Sequence, residues 1–165
     1  MRNAHLNCFE NWDIIQSMEM ILFIGIQASG KSTFYKEKFF NTHLRISKDL
    51  LKTKNREKQL LEYCLKTQTS LVIDNTNVTK EIRKKYIDIF SNMKIPIIGY
   101  YFKTNLQRSL EWNKNRTGKE NIPEIGILGT YNKLEIPALD EGFSKLYYVD
   151  VLEKSYVIKD WNNEV

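Results

Sequence analysis

Cysteine is scarce in this chain: Cys8 and Cys64 are its two, and they form no C-x-x-C pair. A disulfide-stapled or zinc-organised scaffold is therefore not expected, and a reduced, cytoplasmic setting is. Long apolar runs are missing too. The opening stretch, MRNAHLNCFENWDIIQSMEM, is broken by charged and polar residues, so it reads as neither a secretory core nor a membrane span. Repeats and low-complexity tracts are also absent. A chain of 165 residues with 42% hydrophobic and 27% charged residues has the make-up of one folded domain, not of a disordered chain. The net charge of +5 mildly favours an anionic partner. Residues 1–19 are expected either to pack as a short helix or to form an extension ahead of a core spanning 20–165.

What is present alternates between strand and helix. MILFIG (20–25) is a short apolar run ending in glycine, STFYKEKFF has helical spacing, and HLRIS (43–47) is a second strand candidate. A charged helix over NREKQLLEYCLK (55–66) precedes the apolar strand SLVID (70–74). A helix over 79–93 follows, with Ile82, Tyr86, Ile89 and Phe90 on one face. IPIIGYYF (95–102), a helix from Leu106 to about Asn115, and LYYVDVL (146–152) complete the series. Alternating units of this kind imply an α/β domain with a parallel sheet and helices on both faces. The segment 116–129, RTGKENIPEIGILG, holds three glycines and a proline and reads as a mobile loop or lid.

The string Gly25-Ile26-Gln27-Ala28-Ser29-Gly30-Lys31-Ser32, followed by Thr33, fits G-x-x-x-x-G-K-[ST] between a strand and a helix, as a phosphate-binding loop requires. Backbone N–H groups from Ala28 to Ser32 are expected to face the β-phosphate of ATP, aided by the helix dipole. Lys31 would bridge β- and γ-oxygens and Ser32 would ligate Mg²⁺. No N-K-x-D string for reading guanine accompanies the loop, and the chain is short for a mechanical ATPase. A small kinase fits these constraints best.

Two strand ends add to this. In SLVIDNTN, Asp74 is placed to reach Mg²⁺ or its water shell, and Asn75, Thr76 and Asn77 offer hydrogen bonds to nucleotide or acceptor. The same residues also suit a strand end followed by a helix cap, which is the expectation for Thr79. In RISKDLLK, Asp49 is either a base for an attacking hydroxyl, with Lys48 and Lys52 holding an anionic acceptor, or the N-cap of a helix.

Taken in order, GIQASGKST, the KD pair at 48–49, VIDNTN with Arg83 beyond it, NKNR (113–116) and EIPALDEGFSKL (135–146) resemble the kinase domain of phage and animal polynucleotide 5′-hydroxyl kinases and their small bacterial relatives. The resemblance runs from about Met20 to Val151. It implies a P-loop NTPase fold of three layers with a parallel five-stranded sheet and a lid. By the same resemblance Asp49 is the general base, Lys31 and Ser32 contact phosphate and Mg²⁺, and Arg116 is the lid arginine over the transferring phosphoryl group. Arg83 falls among the motif residues expected near substrate. Two positions depart from the family: Lys48 stands where an arginine is usual before the base, and Trp112 where many members have arginine. Trp112 either stacks a base or buries on its helix. The acceptor is then a polynucleotide 5′-end or a small hydroxylated molecule, or the domain binds nucleotide without an acceptor. No membrane partner is expected.

Overall fold

The computed structural model describes residues 18–152 and 155–162; the expected N-terminal extension lies almost wholly outside them. Strand β1 (Met20–Ile24) is buried along its entire length. Its alternate side chains feed opposite faces, with Met20, Leu22 and Ile24 in one core cluster and Ile21 and Phe23 in the other. A strand apolar on both faces belongs in the middle of a sheet covered by helices on both sides.

That is where it lies. With β2 (Leu44–Ile46), β3 (Leu71–Ile73), β4 (Ile97–Phe102), β5 (Lys145–Val151) and β6 (Tyr156–Asp160), the sheet order is β2-β3-β1-β4-β5-β6. Strands β1 to β5 are parallel and β6 is antiparallel to β5. The sheet thus has six strands where five were expected. The extra one is a mostly exposed edge strand, YVIKD, with no buried face to mark it in the sequence.

Helices α3 (Lys54–Thr67) and α4 (Lys80–Asn92) supply Leu61, Cys64, Tyr86, Ile87 and Phe90 to the first core face. Helix α1 (Lys31–Lys38) supplies Phe34 and Tyr35 to the second, where Phe23, Phe34 and Phe102 meet edge to face at 5.3–5.7 Å. Each such fully buried side chain contributes about 1.5–3 kcal/mol. Cys64 is enclosed, and burial pushes its thiol pKa up, which keeps it unreactive. Among the described residues no helix is long and apolar enough to cross a membrane.

Of the expected face of α4, Tyr86 and Phe90 are buried and Ile82 packs against the core, whereas Ile89 is exposed; Arg83 and Ile87 complete the buried stripe. Arg83 is wholly buried. Its Nε and Nη2 grip Glu141 at 2.6 and 2.8 Å, and Nη1 donates to the carbonyls of Asn77, Val78 and Glu135 at 3.1 Å each. Segment 116–129 also differs from expectation. A 3₁₀ turn (Gly118–Glu120) leads into helix α6 (Glu124–Tyr131), anchored by the fully buried Ile127. Asn113, on α5 (Leu106–Lys114), clamps the approach by exchanging hydrogen bonds with the backbone of Ile122 at 2.7 and 2.9 Å.

Candidate phosphate and phosphoryl-transfer site

The loop from Gly25 to Gly30 joins β1 to α1 at the carboxyl end of the sheet, where ligands of open α/β folds bind. Gly30 takes the N-cap position of α1 at φ 89°, and a Cβ there would press on both Val151 methyls at 3.3 Å. Glycine is required on both counts. No side chain caps α1, and its first turn carries no acid. The opening N–H groups of a helix lack intrahelical acceptors and sit at its positive end, so this terminus suits an anion.

The loop is braced by the D-N-T-N strand end. Gly25 N–H donates to Thr76 O at 2.9 Å, and Asn77 Nδ2 donates to Phe23 O at 2.7 Å. Asn77 is buried and adopts φ 46°, a left-handed conformation asparagine tolerates. Asn77 and Arg83, both expected on substrate, are therefore internal supports: the first ties β1 to the loop after β3, and the second locks α4 to the 135–141 segment. Asn75 Oδ1 accepts from Lys48 N–H at 2.9 Å and so fixes the start of the short helix α2 (Lys48–Leu51). Ser47, not Asp49, is the N-cap of α2. Asp49 lies in its first turn, and Lys48, Asp49 and Lys52 are exposed. Thr79 caps α4 through a 3.3 Å bond from Ile82 N–H.

Lys31 is buried, with its ammonium donating to Gly25 O at 3.0 Å, to Ser29 Oγ at 3.1 Å and to Ile26 O. Burial drives its pKa down to about 8; Asp74 and Asp49 act against this, and Arg116 adds to it. Ser32 Oγ donates to Asp74 Oδ2 at 2.9 Å. Arg45, on β2, reaches the same pair: Nε donates to Asp74 Oδ2 at 2.8 Å and Nη2 to Ser32 Oγ at 2.9 Å. No local pattern singles out Arg45, because the neighbour relation of β2 and β3 is a property of the sheet.

Beside the N-terminus of α1 lies a cavity of about 310 Å³ lined by Thr33, Trp112, Arg116, Leu152 and Tyr156, among others. Trp112 is half-buried against the second core face and borders this cavity, with the Arg108 guanidinium 5.0 Å from its ring centroid. The phosphate loop also touches α6, Gln27 Nε2 donating to Thr130 Oγ1 at 2.9 Å.

A phosphate loop at the end of a central parallel strand, with a strand-end aspartate bonded to the loop serine, defines a P-loop nucleotide-binding domain of the kinase-like α/β type. The chain belongs to the AAA domain family, which matches residues 41–127. It is 30% identical over 135 residues to the bifunctional polynucleotide phosphatase/kinase of Schizosaccharomyces pombe, covering 79% of this chain. The chain spans about a third of that relative's length (33%). Among solved structures, a gluconokinase from Sinorhizobium meliloti aligns with TM-score 0.56 at 16% identity, over 83% of this chain and 85% of its own. Chaetomium thermophilum Kti12, solved with ADP-AlF3, aligns with TM-score 0.58 at 16% identity, over 79% and 88%. These likenesses show the fold.

Proposed function

We propose that the protein is an ATP-dependent kinase that passes the γ-phosphate to the 5′-hydroxyl of a polynucleotide. The observation that carries this is the uncapped start of α1, where Ser32 Oγ donates to the strand-end Asp74 Oδ2 at 2.9 Å and a cavity beside Gly30 is lined by Arg116. The residues present fit Mg²⁺: Ser32 and Asp74 offer hard oxygen donors, and no described cluster of three or more His, Cys, Asp or Glu competes with them. Mg²⁺ in nucleotide sites is held by few protein oxygens together with substrate phosphates and several waters, and one hydroxyl and one carboxylate suit that demand. When bound, it would neutralise charge on the β- and γ-phosphates.

In this reading the α1 N-terminus, from Ala28 through Ser32 and Thr33, cradles the phosphates, and Lys31 exchanges its loop carbonyls for phosphate oxygens. The nucleoside extends into the cavity between Trp112 and Leu152. Asp49 takes the proton of the attacking hydroxyl, and Arg116 stabilises the equatorial oxygens. Thr76 and Asn75 border the acceptor side. The polynucleotide acceptor is supported by the fission-yeast relative and by the open surface around Asp49, where Lys48, Lys52, Lys54 and Arg56 are all exposed. Lys52 ends α2 at φ 66°, a conformation that costs about 1–3 kcal/mol and often marks a working position.

The test is phosphoryl transfer from labelled ATP to 5′-OH oligonucleotides and to a panel of small hydroxylated metabolites. Oligonucleotides are expected to accept. Their KM should rise with salt, and Lys48→Ala and Lys52→Ala should raise it further and flatten the logarithmic salt slope by about 0.7 each. Transfer to a metabolite with none to oligonucleotides at low salt would replace this acceptor, and nucleotide binding without transfer to either would leave a binding module.

Segment 116–129 is proposed to close over the nucleotide, since it carries Arg116 and touches the phosphate loop through the adjoining Thr130. Its amide exchange should slow with Mg²⁺ and a non-hydrolysable triphosphate. Equal exchange with and without ligand would mark it as a fixed wall.

A further inference from the structure

The Ser32–Asp74 pair already has a cation on it. Asp74 is buried, its Oδ2 accepts from Ser32 Oγ and Arg45 Nε, and Arg45 Nη2 forms an ion pair with the same oxygen. Ser32 Oγ in turn accepts from Arg45 Nη2. A hydroxyl has one proton and two lone pairs. Ser32 commits its proton to Asp74 and one lone pair to Nη2, so a metal ion drawn to the remaining pair would come up against the guanidinium. The guanidinium is therefore placed on the side of the pair where both oxygens converge. It is a built contact: Arg45 sits opposite Val72 in the β2–β3 register, its side chain is 22% exposed, and it lies 5.5 Å from the Tyr35 ring centroid.

A buried carboxylate without a counter-charge is strongly destabilising. An arginine does not escape by losing its proton. Two cations cannot share these oxygens without repelling one another, so the guanidinium must give way when a metal ion approaches. The fork geometry allows this in part, because Nη2 can release Ser32 while Nε keeps Asp74.

We propose that Arg45 and a divalent cation are alternative counter-ions of the Ser32–Asp74 pair, so that Arg45 sets how tightly the metal is held. The proposal rests on the reading of Ser32 and Asp74 as the metal-binding pair of the nucleotide site. Arg45 acts on the metal through these two residues and is a positioning residue.

The experiment measures Mn²⁺ binding by the paramagnetic signal of the free ion, for wild type, Arg45→Gln and Arg45→Lys, each with and without a non-hydrolysable ATP analogue. Arg45→Gln removes the competing charge and should bind Mn²⁺ about tenfold more tightly, the low end of what one nearby charge does to the equilibrium of a charged group. Arg45→Lys keeps a charge but not the fork and should fall between the two. Melting supplies a second readout: Arg45→Gln should melt below wild type without metal, and saturating Mn²⁺ should close the gap. Equal or weaker Mn²⁺ binding by Arg45→Gln overturns the proposal, as does a melting deficit that metal leaves untouched. Should Arg45→Gln fail to fold, Arg45→Lys decides alone, by binding Mn²⁺ more tightly than wild type or not. Failure of wild type and variants alike to retain Mn²⁺ with the analogue overturns the metal reading of Ser32 and Asp74, and this proposal with it.

Discussion

Asp49→Asn is expected to lower phosphoryl transfer by about 10²–10⁴-fold, the range for losing a positioned base, while nucleotide affinity and melting temperature stay near wild type. The expectation of unchanged stability comes from the way α2 begins. Its N-cap is Ser47, and Asn75 holds the Lys48 N–H at 2.9 Å, so neither job belongs to Asp49. What the carboxylate gives to the helix is a first-turn charge, worth about 0.3–1 kcal/mol. Asparagine keeps the shape and loses the basicity. The measurements are kcat, nucleotide Kd and a melting curve on the same preparation. A variant that melts early and turns over normally would make Asp49 a structural residue and remove it from the chemistry.

The phosphate loop was legible because its chemistry forces a local pattern: glycine where φ is positive, lysine and serine at the helix start, and an apolar strand before them. The parallel order of five strands followed from alternating elements. Other features depended on which way a side chain turned. Arg83 stands near the D-N-T-N string and reads as a substrate contact, yet Arg83, Tyr86, Ile87 and Phe90 share the i, i+3, i+4, i+7 spacing of a buried stripe. An arginine heading such a stripe is a sign of an internal ion pair, and its acid, Glu141, lies in the ALDEGF string. Asn77 carries a weaker sign, since asparagine after a strand suits a left-handed turn as well as a ligand.

Helix α6 was hidden by Gly126 and Gly129, each of which weakens a helix by about 1 kcal/mol. Burial of Ile127 and the Asn113 clamp hold it, and neither is visible in local composition. Arg45 was hidden for a topological reason. Strand β3 inserts between β2 and β1, so a residue on β2 becomes the neighbour of Asp74 only once the sheet is ordered. The missed β6 shows the opposite limit, in that an exposed edge strand has no apolar face to read.

Lys31→Ala should reduce transfer by at least about 10²–10³-fold, the cost of losing one preorganised charge stabiliser, and it should also erase a proton signature that no other loop residue supplies. In the free protein burial holds the Lys31 pKa near 8, against 10.5 for an ordinary lysine. A bound polyphosphate favours the charged ammonium and raises that pKa, so at pH 8 nucleotide binding should take up about half a proton. Affinity should then fall as pH climbs through about 8. The stability linkage has the opposite slope. Between about 8 and 10.5 the unfolded chain holds the Lys31 proton and the folded chain does not, so wild type should gain stability relative to Lys31→Ala as pH rises through that window. Titration calorimetry at pH 8 in buffers of different ionisation enthalpy counts the protons, and melting curves at pH 8 and 10 read the linkage. A calorimetric proton count that survives in Lys31→Ala would assign the titration to another group, and undiminished transfer by that variant would remove the phosphate loop from the mechanism.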